Sequence, residues 1–287
     1  MKKKWLLPIL VLLCACEKPI IGDEDVGLDG NLILKFSPYT QSSYTRAASS
    51  NLSGYMSKIN IMLYNAGTTN RVFDKVKAQN ADDSGFGTFS FTVPVGSYDV
   101  LAVGHSSYRS ATLNKDKVAF TAYQGKKITD TFWYLGTVTV EESEETTVYD
   151  NVLNRVSAMF RLVIEDETPE EVESFKFEYT GGSADFNPTN GKGVTNSKQS
   201  EIREFNADGI YEVYTFPKDD NKLTVTVTAL DANDNAITTK QFQDVPVTAN
   251  QITTFKGNFF DGTAVVSGNG FSFTVNGDYE KENIYTY

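Results

Sequence analysis

Apolar and polar residues alternate along most of this chain, the spacing that turns one face of a β-strand towards a core. The alternation first appears at Leu32, Leu34 and Phe36. It recurs in a series of segments: Ile59–Leu63, Phe89–Val93, Tyr98–Ala102, Phe132–Val140, Val156–Ile164, Phe175–Tyr179, Ile210–Phe216, Leu223–Ala229, Ile252–Phe259 and Phe271–Val275. Because no long segment has the 3.6-residue period of a helix, the pattern predicts an all-β protein built as two tandem β-sandwiches.

A run of acidic residues interrupts this pattern at Glu141–Asp150. Such a run fits either a solvated hairpin loop or a linker between domains. We favour the linker because the alternation from Leu153 onward starts a new set of strands. We therefore expect an N-terminal sandwich at residues 31–145 and a C-terminal sandwich at residues 146–287.

The first sixteen residues are typical of an export signal. Three lysines lie within Met1–Lys4, and the apolar stretch Trp5–Leu13 is too short to span a bilayer. The stretch ends in Leu13-Cys14-Ala15-Cys16, which fits a bacterial lipobox with Cys16 as the lipidated residue. We predict a lipoprotein signal peptide at residues 1–16, lipidation of Cys16, and a tether at residues 17–30. The alternative is a plain secretory signal with incidental cysteines.

Composition and charge exclude several classes of function. Of the 287 residues, 37 are acidic and 26 are Lys or Arg, which gives a formal net charge of −11. An acidic surface repels the phosphate backbone, so we expect no nucleic-acid partner. Both cysteines lie in the signal segment, which leaves none for a disulfide or a catalytic thiol in the exported chain.

Few residues are suited to catalysis or to binding a metal. The single histidine, His105, lies in a Gly-His-Ser-Ser turn that is not a nucleophile elbow, and we expect no role for it. Asp231–Asn235 begins like a calcium loop, but Ala236 and Phe242 replace the turn glycine and the bidentate glutamate, so we predict a polar turn. The sequence predicts no enzyme, no metal and no cofactor. A sugar-stacking role for Trp133 is a minor alternative, since a strand tryptophan more often packs in a core.

Several segments of the sequence together indicate a resemblance to a known family. The lipobox is followed by an early strand at Asn31–Phe36 and then by a polar stretch, Ser37–Ser50, that contains Tyr44-Thr45-Arg46-Ala47. The turn Pro94-Val95-Gly96-Ser97-Tyr98 leads into a strand as it does in transthyretin-like sandwiches. In this layout the chain resembles the fimbrillin superfamily of Bacteroidetes, the subunits of type V pili, and within it the anchor and accessory lipoproteins. The resemblance implies two transthyretin-like Greek-key sandwiches.

The resemblance also implies a mechanism of assembly by β-strand addition. In polymerising subunits of the family, a protease cuts after an arginine that follows the first strand, and the first strand leaves an apolar groove. The C-terminal strand of the next subunit fills this groove. In this sequence the candidate cleavage site is Arg46–Ala47. The candidate donor strand lies within Ile252–Tyr287, with Phe271, Phe273 and Val275 as its alternating anchors.

The possible roles differ in whether the subunit keeps its N-terminal segment. A stalk or tip subunit loses its first strand, whereas a membrane anchor keeps it because the lipid on Cys16 holds the pilus. We expect an anchor or accessory subunit, lipid-anchored in the outer membrane and exposed at the surface, that joins other fimbrial subunits by strand donation. The alternatives are a stalk or tip fimbrillin cut after Arg46, or a surface lipoprotein that binds glycan.

Overall fold

The computed structural model describes residues 31–38, 52–122, 128–143, 145–219, 222–261, 265–267, 272–274 and 281–286. A short 3₁₀ turn spans Leu52–Gly54. The strands, in chain order, are β1 (Leu32–Pro38), β2 (Lys58–Asn65), β3 (Lys77–Asn80), β4 (Thr88–Phe91), β5 (Gly96–His105), β6 (Thr112–Asn114), β7 (Lys117–Ala119), β8 (Thr131–Val140), β9 (Thr147–Arg155), β10 (Ala158–Ile164), β11 (Ser174–Gly182), β12 (Asp185–Asn187), β13 (Lys192–Gly193), β14 (Ser197–Glu204), β15 (Ile210–Thr215), β16 (Lys222–Leu230), β17 (Ala236–Pro246), β18 (Gln251–Gly257), β19 (Val265–Ser267), β20 (Ser272–Thr274) and β21 (Lys281–Thr286).

The N-terminal half is one seven-stranded sheet that encloses its own core. Its strand order is β3-β2-β5-β8-β9-β1-β4. β8 pairs with β5 along its whole length but with β9 only at Phe132 and Trp133, so the sheet changes direction there. Alternate side chains of most of its strands meet inside the bend, with Leu34, Ile61 and Val100 fully buried. This is the sandwich that the alternation predicts.

β9 belongs to this first sheet. It runs parallel to β1, from Leu32 opposite Thr147 to Pro38 opposite Leu153. The predicted division between residues 145 and 146 therefore does not coincide with the change of sheet, which follows Arg155. The reason is that a strand distant in sequence supplies the partner of β9, a relation that a local pattern does not reveal.

The C-terminal half consists of two five-stranded sheets that face each other. Their orders are β15-β10-β18-β21-β20 and β14-β11-β16-β17-β19. Phe160, Phe177, Phe242 and Phe255 are fully buried between them. The prediction of an all-β fold with sandwich-like domains is confirmed.

A small fourth sheet joins the two halves. The hairpin β6–β7 from the N-terminal half pairs with β12 from the C-terminal half, with Val118 opposite Phe186. Leu113, Phe186 and Phe216 form an apolar cluster beneath it, together with residues of β2 and β5. The halves thus share both backbone hydrogen bonds and a core.

Over the described ranges, no helix is long and apolar enough to cross a membrane.

Candidate functional site

The first strand of the described residues, β1, lies inside the N-terminal sheet and is paired along both edges. β4 lies antiparallel on one side of β1, and β9 lies parallel on the other. The Asn31 side chain fixes the start of the strand, because its Nδ2 donates to the Val93 carbonyl at 2.7 Å and its Oδ1 accepts from the Val93 N–H at 3.0 Å. Removal of β1 would leave two unpaired strand edges facing each other.

The inward face of β1 forms part of the core. Leu32 and Leu34 are fully buried, and the ring of Phe36 lies 6.1 Å from that of Phe89 and 6.0 Å from that of Tyr134. Burying a side chain of this size contributes about 1.5–3 kcal/mol, so the three contribute on the order of 5–9 kcal/mol. The total stability of a domain is about 5–15 kcal/mol. The N-terminal sandwich therefore depends on having a strand in this position.

The backbone at Gly87 lies close to the C-terminal part of β1. The Phe36 N–H donates to the Gly87 carbonyl at 2.9 Å. Gly87 has a φ of +92°, and a Cβ there would lie 2.3 Å from Leu52 Cδ1. Glycine is required because it adopts this φ without strain and leaves room for the leucine.

The C-terminal strands lie at the ends of the two sheets of the other half or next to an end. β21 runs parallel to β18, and β20 pairs antiparallel with β21 at the end of the sheet. β19 adds to the edge of the opposite sheet beside β17. Phe273, one predicted donor anchor, lies in β20, whereas Phe271 and Val275 lie outside the described residues. Their role as anchors stays a prediction.

Side chains on both faces of β21 contact the rest of its sheet. The Tyr285 ring stacks on Phe255 with centroids 4.8 Å apart, and burial raises the pKa of its hydroxyl. On the other face the Glu282 carboxylate is buried and accepts hydrogen bonds from Arg161 and Thr254. The sequence did not predict this strand. Its residues, Lys-Glu-Asn-Ile-Tyr-Thr, show no alternation of polar and apolar positions that would indicate one.

Three other predicted site residues lie outside the described part of the chain: Cys16, Arg46 and Ala47. Lipidation and cleavage there stay predictions. In the described residues, β1 ends at Pro38 and the 3₁₀ turn begins at Leu52, so the candidate cleavage site lies between two elements of the first half.

His105 is the buried last residue of a strand, not a turn residue. It is fully buried at the end of β5, and its ring lies edge-on to Phe120 at 5.2 Å. The Ser107 N–H donates to Nδ1 at 3.1 Å, so the proton is on Nε2, which donates to Asn60 Oδ1 at 2.8 Å. Burial, together with the charge of Lys58, lowers the pKa of His105 to about 3. The imidazole is therefore neutral and has a packing role.

The remaining candidates for binding also have structural roles. Trp133 is half-buried, packs against Phe186 at 6.3 Å between centroids, and has Gly191 against its ring. Asp231 closes the turn between β16 and β17 by accepting the N–H groups of Asn233 and Asn235, each at 2.8 Å, as a polar turn should. Among the described side chains, no group of three or more His, Cys, Asp or Glu residues is placed to hold a metal ion.

Comparison with known proteins gives one match over nearly the whole chain. The sequence model of a family described as fimbrillin-A associated anchor proteins Mfa1 and Mfa2 matches residues 16–285. No curated protein sequence matches the chain.

Several solved structures are similar to this chain. A candidate adhesin from Bacteroides ovatus is 16% identical with a TM-score of 0.48, and the alignment covers 73% of this chain and 74% of that one. The fimbrial anchor protein Mfa2 from Porphyromonas gingivalis is 10% identical with a TM-score of 0.40, covering 73% and 80%. A fimbrial assembly protein from Parabacteroides distasonis is 12% identical with a TM-score of 0.41, covering 79% and 89%.

Proposed function

The chain belongs to the family of fimbrillin-A associated anchor proteins Mfa1 and Mfa2, and on this premise we propose that it is a lipid-anchored fimbrial subunit that keeps its first strand and donates its C-terminal strand to a neighbour. The family is one of fimbrial and adhesive structural proteins, not of enzymes, and its members act with other fimbrial subunits at the cell surface. The lipid, the retained strand and the donation are the proposed parts.

The contrast between the two ends of the described chain carries this proposal. β1 is paired on both sides and buries Leu32, Leu34 and Phe36 in the core. β20 lies at the end of its sheet, and β21 lies between β20 and β18 with Tyr285 against the core. Because β20 and β21 are consecutive strands, they can leave together and keep the β15-β10-β18 pairing intact, so the C-terminal segment is the suitable donor.

The position of β1 favours an anchor over a stalk. Cys16 precedes β1 in the chain, so a lipid on Cys16 would be connected through the tether directly to an interior strand. A pull on that strand is resisted by its hydrogen bonds to both β4 and β9. Cleavage after Arg46 would instead separate the lipid and β1 from the rest of the chain, which suits a polymerising or tip subunit.

The mass and N-terminal residue of the protein from native outer membranes test the anchor role. We expect a chain that begins at lipidated Cys16 and continues through Arg46. A chain that begins at Ala47 would contradict the anchor role and favour the stalk or tip alternative.

A second experiment tests strand donation. A chain that ends after residue 280 lacks β21, and we expect it to remain in the membrane but to be absent from the multimers that resist mild denaturation in unheated detergent gels. A Cys16→Ala chain is the matched comparison, since it keeps β21 and is expected to leave the membrane fraction. Equal multimer content in the truncated and full chains would exclude β21 as the donor.

A further inference from the structure

A row of charged and polar side chains crosses the outer face of the sheet that holds β21. Arg161 on β10 lies opposite Glu212 on β15 and opposite Thr254 on β18. Glu282 on β21 lies diagonally next to Thr254, because Thr254 pairs with Ile284 in the parallel register. The row therefore spans four neighbouring strands and ends on the C-terminal strand.

The contacts in this row converge on one carboxylate oxygen. Arg161 Nη1 donates to Glu282 Oε1 at 3.1 Å, and the Thr254 hydroxyl donates to the same oxygen at 2.5 Å. Arg161 is itself oriented by Glu212, whose Oε1 lies 2.8 Å from Nη2 and 2.9 Å from Nε. Glu282 is 8% exposed, so these bonds are shielded from water and stronger than a surface ion pair.

We propose that Arg161, Thr254 and Glu282 form a latch that keeps the C-terminal strand on its own subunit until it is donated. The inference rests on the proposed strand donation and adds its control. Whenever β21 leaves β18, the Glu282 carboxylate loses its hydrogen bonds from Arg161 and Thr254. A groove in a neighbouring subunit that lacks such donors does not replace these bonds. The latch thus opposes premature exchange between subunits.

The latch adds to an attachment in which β21 supplies one apolar side chain to the core. Besides its pairing with β18 and β20, β21 places the Tyr285 ring on Phe255. Such an aromatic pair adds about 0.5–1.5 kcal/mol beyond its buried area. The balance between a strand held in place and a strand available to a neighbour is therefore sensitive to a single partly buried ion pair.

Hydrogen exchange of the backbone amides of residues 281–286 tests the latch on the full chain. In Glu282→Gln we expect exchange in this segment to be about tenfold faster, because losing a charge-assisted bond raises the open fraction by roughly that factor. Thr254→Val removes the second donor and should accelerate the same segment, with the amides of β1 unchanged. Glu165→Gln is the matched control, since Glu165 pairs with Lys256 of the same strand β18 at 2.9 Å but on the exposed surface. Equal exchange at residues 281–286 in wild type and Glu282→Gln would overturn the latch.

The multimer content of membrane extracts separates this inference from the proposed function. If the latch restrains donation, Glu282→Gln should join multimers on the order of tenfold faster than wild type, since the competent fraction sets the apparent rate. Multimers that form at the same rate in both chains would leave donation standing and overturn the latch. Faster amide exchange without multimers in either chain would overturn donation, and with it the role of the latch in it.

Discussion

Three ionisable side chains buried in this protein are each held by a specific set of partners. His105 is neutral and bonded to Asn60, whereas Arg155 is charged and bonded to Asp130. Glu201 accepts from the Tyr179 hydroxyl at 2.8 Å and is paired with Arg203. A buried polar group costs stability unless such partners are present, so each of these residues makes folding sensitive to a single substitution or to pH.

The neutral His105 predicts a dependence of stability on pH. Its pKa is about 3 in the folded chain and near the ordinary 6.5 in the unfolded chain. Between these values only the unfolded chain takes up the proton, so the free energy of unfolding should fall as the pH is lowered from 6.5, by up to about 1.4 kcal/mol per pH unit. Urea denaturation at pH 7.5, 6.5, 5.5 and 5.0 measures this slope.

His105→Gln is the variant that isolates this effect. The glutamine amide keeps a donor for Asn60 but does not titrate, so the slope between pH 6.5 and 5.0 should largely disappear even if the variant is less stable overall. Burial raises the pKa values of Asp99 and Asp185, but hydrogen bonds to their carboxylates more than offset this and lower them. The stability that these two residues contribute to the folded chain is therefore lost only below about pH 4, outside the range of the experiment. A slope that persists unchanged in the variant would mean that His105 is not its source.

Arg155 should be worth more to stability than a surface charge. Its side chain is 3% exposed, pairs with Asp130 at 2.9 Å, lies over the Phe132 ring at 4.5 Å and donates to Asn250 in the other half. Arg155→Ala should lower the free energy of unfolding by about 3–5 kcal/mol, because it leaves a carboxylate without its partner. Lys222→Ala is the comparison, since its pair with Asp244 is more than half exposed and should contribute less than about 1 kcal/mol. Similar losses in urea denaturation of the two variants would contradict this assignment.

At the scale of single elements, the two terminal strands differ in what they support. Each strand has a neighbour on both sides, but β1 buries three apolar side chains in its core, Leu32, Leu34 and Phe36, whereas β21 buries one, Tyr285. Strand pairing is similar per residue in the two cases, and the loss of either strand deprives two neighbours of a partner, so the difference comes from the buried side chains.

Substitutions in the two strands should therefore have unequal effects. Leu34→Ala should lower the free energy of unfolding by about 2–5 kcal/mol, because Leu34 is fully buried and the sheet around it cannot collapse into the cavity. Truncation after residue 280 should leave a folded chain with a melting temperature only a few degrees lower. Val152→Ala, on the exposed face of β9, is the control and should change the stability by less than about 1 kcal/mol. An unfolded truncated chain would show that β21 is as essential as β1.

At the scale of the whole molecule, the small sheet between the halves makes them interdependent. Phe186 is fully buried and lies 4.9 Å from Phe216, ring to ring, inside a cluster that includes residues of both halves. Lys117 on the β6–β7 hairpin also pairs with Asp185 at 3.1 Å. A shared core of this kind couples the unfolding of one half to that of the other.

Calorimetry measures this coupling. Wild type should unfold in a single transition, and Phe186→Ala should separate it into two, because the large cavity removes the contact that links the halves. Phe205→Ala, which alters an exposed ring, should leave a single transition near the wild-type temperature. Two transitions already present in wild type would show that the halves unfold independently.

Local patterns of residues were sufficient to predict several of the strands and one turn. The alternation at Leu32–Phe36, Phe175–Tyr179 and Leu223–Ala229 predicted strands that the structure contains, because the side-chain period of a strand is a property of neighbouring residues. The polar turn at Asp231 was predicted for the same reason, since Asx turns close within a few residues.

The tertiary structure decided which strands are partners and which polar residues are buried. Residues 147–150 lay in the predicted linker Glu141–Asp150, but they belong to strand β9 because β1, more than a hundred residues earlier, supplies the hydrogen bonds of β9, as in the bond from Asn151 Nδ2 to the Lys35 carbonyl. His105 looked like a turn residue, and β21 gave almost no pattern. Their positions depend on contacts with residues distant in the sequence. These contacts stabilise the fold only after the loops between the contacting residues have closed.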